Sequence, residues 1–109
     1  MANAYKVLGQ TGDASANDVS LYTVPSSTEA VISTIVVCNR EGATNTFRIA
    51  VKPDGATLTQ SHYLAYDSEI LANDTITLTL GITVDASDVI SVGASDANVS
   101  FNLFGTEIT

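Results

Sequence analysis

The sequence predicts an all-β protein: a two-sheet antiparallel β-sandwich of about eight strands, compatible with jelly-roll or immunoglobulin-like topology. Three observations predict it. Short stretches that alternate apolar with hydroxyl side chains recur along the chain, which is the period of a pleated strand with one covered face. Gly, Pro, Asn and Asp gather between these stretches, where tight turns need them. No stretch carries its apolar residues at helical spacing. At 109 residues the expected organisation is one β-sandwich domain over 1–109, with a modest core.

Ala4–Gln10 reads as the first strand, with Tyr5 and Val7 on one face and Lys6 and Leu8 on the other. Thr11–Asp18 is a loop of small and polar residues. Val19–Val24 is the second strand, and Pro25 stops it because proline cannot donate to a central ladder. Glu29–Asn39 is the strand that organises the rest. Its β-branched density (Val31, Ile32, Thr34, Ile35, Val36, Val37) suits a pleated surface and disfavours helix. Strict alternation puts Ala30, Ile32, Thr34, Val36 and Cys38 on one face and Val31, Ser33, Ile35, Val37 and Asn39 on the other. Both faces are mostly apolar, so both are expected to be covered: one by the opposite sheet, the other by the chain's own loops, a neighbouring subunit or a larger assembly.

Arg40–Thr44 is a short polar connection, and Asn45–Lys52 alternates with Phe47, Ile49 and Val51 inward. Pro53-Asp54-Gly55 is a turn. Ser61–Ile70 has no clean apolar face, which fits an edge strand or one ending in a bulge. Asp74–Ile82 has the clearest alternation: Ile76, Leu78, Leu80 and Ile82 are expected inward, with Thr75, Thr77 and Thr79 as an outward hydroxyl face. Val89–Val92 follows. The last strand opens at Asn98 with Val99, Phe101 and Leu103 on one face, and Gly105 is expected to break it.

Net charge is −8, and the basic residues are only Lys6, Arg40, Arg48 and Lys52. A phosphate backbone calls for a cationic stripe, so neither nucleic acid nor an anionic membrane surface is an expected partner. The lone Cys38 reads as a small buried hydrophobe and has no internal disulfide partner. The stretch MANAYKVLGQ shows no signal-peptide pattern, and no apolar run approaches membrane-spanning length.

No catalytic set emerges. His62 is the only histidine, and Ser61 beside it points to the opposite face of a strand, so the two make no dyad. One Cys and one His make no zinc site. Asp85, Asp88 and Asp96, or Asp67, Glu69 and Asp74, sit in or beside turns as solvated turn formers, and none matches an EF-hand loop. Tyr63 and Tyr66 are the nearest approach to a carbohydrate-contact patch. The expectation is therefore no enzyme, no cofactor and no metal.

The phrases AYKVLGQ, LYTVP, ISTIVVCNR, FRIAV, NDTITLTLGITVDASDVI and FNLFGTEI, in this order, resemble a group of short virion structural proteins encoded by tailed bacteriophages. The resemblance spans nearly the whole chain and rests on packing patterns. It implies a β-sandwich accessory protein, present in many copies on the virion as a capsid-decorating or neck and tail component. The implied partners are other virion proteins and copies of itself, in a homo-oligomer or bound to the assembly. The interface candidates are Val31, Ile35 and Val37 on the second face of Glu29–Asn39, and the threonine ladder Thr75, Thr77 and Thr79. Thr77→Asp or Val37→Asp is then expected to fold but fail to assemble. The alternative is a carbohydrate- or receptor-binding module of a phage fibre that uses Tyr63, Tyr66 and the acidic loops.

Overall fold

The computed structural model describes residues 2–109. The strands are β1 (Asn3–Thr11), β2 (Val19–Thr23), β3 (Glu29–Asn39), β4 (Asn45–Lys52), β5 (Tyr63–Ile70), β6 (Thr75–Leu78), β7 (Ile82–Val84), β8 (Val89–Ala94) and β9 (Val99–Ile108). Two 3-10 turns, Pro53–Gly55 and Gln60–His62, lie between β4 and β5. The fold is all-β, and every strand pair is antiparallel. One sheet has the order β1-β9-β3-β6, with β7 also paired to β3; the other has the order β2-β8-β4-β5.

The pairing is nested. β1 meets β9, β2 meets β8, β3 meets β6 and β7, and β4 meets β5. A long hairpin folded in this way and wrapped into two sheets is a jelly roll, once β6 and β7 are counted as one interrupted strand. This decides between the two topologies that the alternation left open.

Asp74–Ile82 is not continuous because Gly81 takes a positive φ of 60° and the chain leaves β3 between Leu78 and Ile82. The break is part of a larger feature. β3 shifts register between Ile32 and Thr34, and β1 shifts between Val7 and Gly9. The β3 shift lies against Gly105 and Phe104 of β9, and the β1 shift against Phe104 and Leu103. The Ser33 hydroxyl donates to the Phe104 carbonyl at 3.1 Å, which secures the bulge. A crease therefore crosses the sheet at Leu8, Phe104–Gly105, Ser33 and Thr79–Gly81.

The crease changes which residues of β3 face inward. Before it Ala30 and Ile32 are buried; after it Ile35, Val37 and Asn39 are. The two apparently apolar faces of β3 are thus one core face that changes parity at Ser33. Cys38 falls on the outward side and is partly exposed, which corrects the expectation of a buried thiol. Gly105 does not end β9. It is a buried inward position where a Cβ would overlap the Val31 carbonyl oxygen, so the strand runs on to Ile108.

The core lies between the sheets. Ile32, Ile35 and Val37 of β3 and Val99, Phe101 and Leu103 of β9 meet Phe47 and Ile49 of β4 and Ile90 and Val92 of β8. Phe47 packs edge-on against Phe101, with centroids 6.3 Å apart at 69°. Each fully buried side chain of this size contributes roughly 1.5–3 kcal/mol. Asn39 closes one end of β3: its amide donates to the carbonyls of Ala43, Ile70 and Leu71, and its carbonyl accepts from Glu41 N and Asn45 Nδ2.

The inward side chains of β6 and β7 (Ile76, Leu78 and Ile82) are only partly buried, and Leu80 is 45% exposed in the break. The cost expected from the sequence for Leu78→Ala, that of a fully buried leucine at about 2–5 kcal/mol, is accordingly reduced. Leu78→Ala is expected to lower stability by about 1–2 kcal/mol in urea titration.

A polar tie joins the sheets. Glu107 of β9 is buried; it accepts from the Tyr22 hydroxyl of β2 at 2.6 Å and pairs with Lys6 of β1 at 2.6 Å. The bonds from Lys6, then from Tyr22, hold the Glu107 carboxyl below its ordinary value against the opposing effect of burial. A carboxyl depressed in the folded state stabilises the fold above its unfolded pKa and loses that contribution as pH falls through the folded value. Melting temperature is therefore expected to drop as pH falls below about 4.5, the ordinary value for glutamate, and Glu107→Gln is expected to flatten part of this slope. Part remains, because Asp13, Asp67 and Asp96 are also depressed, chiefly by bonds from Ser15, Arg48 and Asn98. The Tyr22 phenol is pushed up by burial and by Glu107, so its contribution is present below pH 10 and is lost as pH rises further.

Candidate interaction surface

The outer faces of the two sheets differ. Over the four-stranded sheet, the chain covers itself. All of β8 is buried, including the outward positions Val89, Ser91 and Gly93. Asn17 of the β1–β2 loop sits against Gly93, Ala94 N donates to Ala14 O at 3.0 Å, and the Pro53–Gly55 turn lies beside Val89. This face is also charged: Arg48 pairs with Asp67 at 2.7 and 3.2 Å, and Lys52 with Asp18 at 2.8 Å.

Among the described residues, the outer face of the five-stranded sheet has no such cover. The strand registers set its side chains in cross-strand rows. The first is Tyr5, Thr106, Val31 and Thr83; the next is Val7, Phe104 and Thr34. Then come Gln10, Asn102, Val36 and Thr77, and finally Ser100, Cys38 and Thr75. Every one of these side chains is partly or fully exposed, Tyr5 at 81% and Val7 at 48%. None of them is charged. Glu29 stands only at one end of the face, beyond the Tyr5 row.

The sequence candidates divide accordingly. Val31 belongs to this face at 37% exposure, as do Thr75 and Thr77. Thr79 is exposed in the break between β6 and β7, outside the rows. Ile35 and Val37 are 0% exposed, inside the core, and cannot offer their side chains to another subunit. The cause is the bulge at Ser33, which strict alternation ignores. Val37→Asp would accordingly place an unpaired carboxylate in the core and act on folding, not assembly. Tyr5, Val7 and Phe104 were the surface residues that sequence reasoning missed; the shared parity of Tyr5 and Val7 was visible, but their alignment with Phe104 and Val31 depends on long-range register.

The remaining polar groups have local tasks. Among the described residues all four cations are engaged: besides the three ion pairs, Arg40 donates to the carbonyls of Gly12 and Ala97. Asp88 accepts from the amides of Asp54 and Asp85, and Asp96 from that of Asn98. No group of three His, Cys, Asp or Glu side chains able to hold a metal ion occurs among the described residues. His62 Nδ1 accepts from Thr59 N at 3.1 Å. Tyr63 and Tyr66 do meet, edge to face at 4.8 Å, but the Arg48 guanidinium stacks 4.2 Å from the Tyr66 ring centre. That stack, with the fork onto Asp67, anchors β5 at the bulge where Asp67 takes a φ of 49°.

No family model and no curated protein matches the chain. Among solved structures, it is similar to a chain of the T13 viral particle of infectious bursal disease virus, with TM-score 0.53 and 9% identity over 96% of this chain and 30% of that one. A pentameric capsid protein isolated from metagenomic phage sequences aligns at TM-score 0.42 and 17% identity, over 95% of this chain and 63% of that one. The chain thus spans about a third of the length of the bursal disease virus protein, and what the two share is the two-sheet β-sandwich fold.

Proposed function

We propose that this protein is a non-enzymatic structural subunit of a virion, acting by protein–protein contacts and present in many copies. The observation that carries this reading is the bare, charge-free outer face of the five-stranded sheet, on a chain whose net charge is −8. Exposed apolar side chains without a charged gatekeeper are an aggregation hazard unless a partner covers them. The fold shared with a viral-particle protein supports the setting, and the resemblance to short tailed-phage virion proteins narrows it to capsid decoration or a neck or tail accessory role. Jelly rolls also serve as lectins and enzymes, so the argument rests on the face and not on the fold alone. The glycan-binding alternative gains nothing from the tyrosine pair, since Arg48 already occupies a side of Tyr66. Other virion proteins and further copies of the chain are the proposed partners; nucleic acid and membrane are not.

Immunogold electron microscopy of particles from the source tests this reading. Label on the head supports decoration, and label on the neck or tail supports an accessory subunit. Unlabelled particles, with the protein present in the lysate, overturn it.

A further inference from the structure

We propose that the outer face of the five-stranded sheet binds the same face of a second copy, as a two-fold, isologous dimer. This deepens the structural-subunit reading by naming the partner of the surface on which that reading rests. Charge distribution carries the inference. A second copy also brings −8, with nine of its twelve carboxylates outside the three ion pairs. Those groups lie in the loops, at the strand ends and on the other sheet; the rows from Tyr5 to Thr75 hold none. Pairing these two faces brings the copies together with no carboxylate at the centre of contact. Sheets pack about 10 Å apart, so charges on the far sheets end up separated by well over the screening length of about 8 Å at physiological salt. Contact through the outer face of the other sheet would instead bring Asp18, Asp67 and Glu69 of both copies together.

The size of the face sets the strength. Four strand positions at about 4.8 Å, over some seven residues at about 3.3 Å, give on the order of 450 Å² in projection per copy. Two such faces, about 900 Å² in projection, fall below the standard interface size and in the range of transient contacts, so the dimer is weak and its population follows concentration. The chemistry suits self-pairing: Val7, Val31, Val36 and Phe104 supply apolar contact, while Thr34, Thr77, Thr83, Gln10 and Asn102 both donate and accept hydrogen bonds. A two-fold contact uses each residue twice, so one added carboxylate enters it twice.

Sedimentation equilibrium over a range of concentration tests the proposal. The wild type is expected to show a monomer–dimer equilibrium that strengthens with added salt. Val31→Asp and Thr77→Asp, both at exposed positions, are each expected to weaken it at least about tenfold with unchanged circular dichroism. Ser20→Asp puts the same charge at an exposed position of β2 in the other sheet and is expected to change association by less than about twofold. Cys38 gives an independent readout: its maleimide labelling is expected to slow with rising concentration in the wild type but not in Val31→Asp. A wild type that stays monomeric, or a Ser20→Asp effect equal to that of Val31→Asp, overturns the proposal. A monomer that still labels particles overturns this inference alone, whereas an intact dimer with unlabelled particles overturns only the structural-subunit reading.

Discussion

Gly105→Val is expected to destabilise the protein by about 3 kcal/mol or more, at the upper end of overpacking penalties, and to leave little folded material at ambient temperature. The position is buried in β9 between two bulged neighbours, and a Cβ there meets the Val31 carbonyl oxygen, Ile32 Cα and the Leu8 side chain. Two of these three are backbone of the adjacent strand, so no rotamer change relieves the overlap. The crease itself would have to open. Gly105→Ala is expected to show a smaller loss of the same kind, and Gly42→Ala, where a Cβ meets nothing within 4 Å, almost none. Urea unfolding of the three variants measures this. A Gly105→Val protein as stable as the wild type would mean that β9 and β3 are not held this closely at the crease.

Phe101→Ala is expected to cost about 3–5 kcal/mol. Its ring is 0% exposed and forms the main aromatic contact between the sheets, against Phe47. Phe104, three residues along β9, is a control of the same residue type on the outer face. Phe104→Ala is expected to cost less, about 1–2 kcal/mol, because its ring lies on the outer face and is only partly buried. A larger cost at Phe104 than at Phe101 would mean that β9 has the opposite facing from the one described.

The strands were legible in the sequence because alternation and turn residues are local signals. Glu29–Asn39 and Asn45–Lys52 begin and end where they were expected. What was not legible is mostly pairing. The parity change at Ser33 arises because β3 must fit β9 and β6 or β7 at once, and a bulge reads as ordinary alternation until its partner is known. A hydroxyl pair, Ser33-Thr34, in an otherwise apolar run was the one available hint. Likewise Gly81 hinted that Asp74–Ile82 is broken, while Gly105 gave the opposite impression, because a glycine required by a close neighbour looks the same as one that ends a strand. The proposed interaction face inherits this limit. Val31, Thr75 and Thr77 were placed on the outer face correctly from alternation alone, Ile35 and Val37 were misplaced by it, and the tie among Lys6, Tyr22 and Glu107 joins residues too far apart in sequence for any spacing rule.

The nested pairing also governs the order in which the fold can be reached. β4 and β5 are adjacent in the chain and can zip first; β3 with β6 and β7, then β2 with β8, and lastly β1 with β9 must each close a longer loop. On the ribosome β1 emerges early and waits for a partner made about ninety residues later. Its make-up limits the added cost of that wait: from Asn3 to Val7 every side chain remains exposed even when folded, so an unpaired β1 bares little apolar surface beyond what the folded face already shows. Refolding is expected to be slow and dominated by the docking of β9, the strand that lies between β1 and β3 and completes the sheet bearing the bare face.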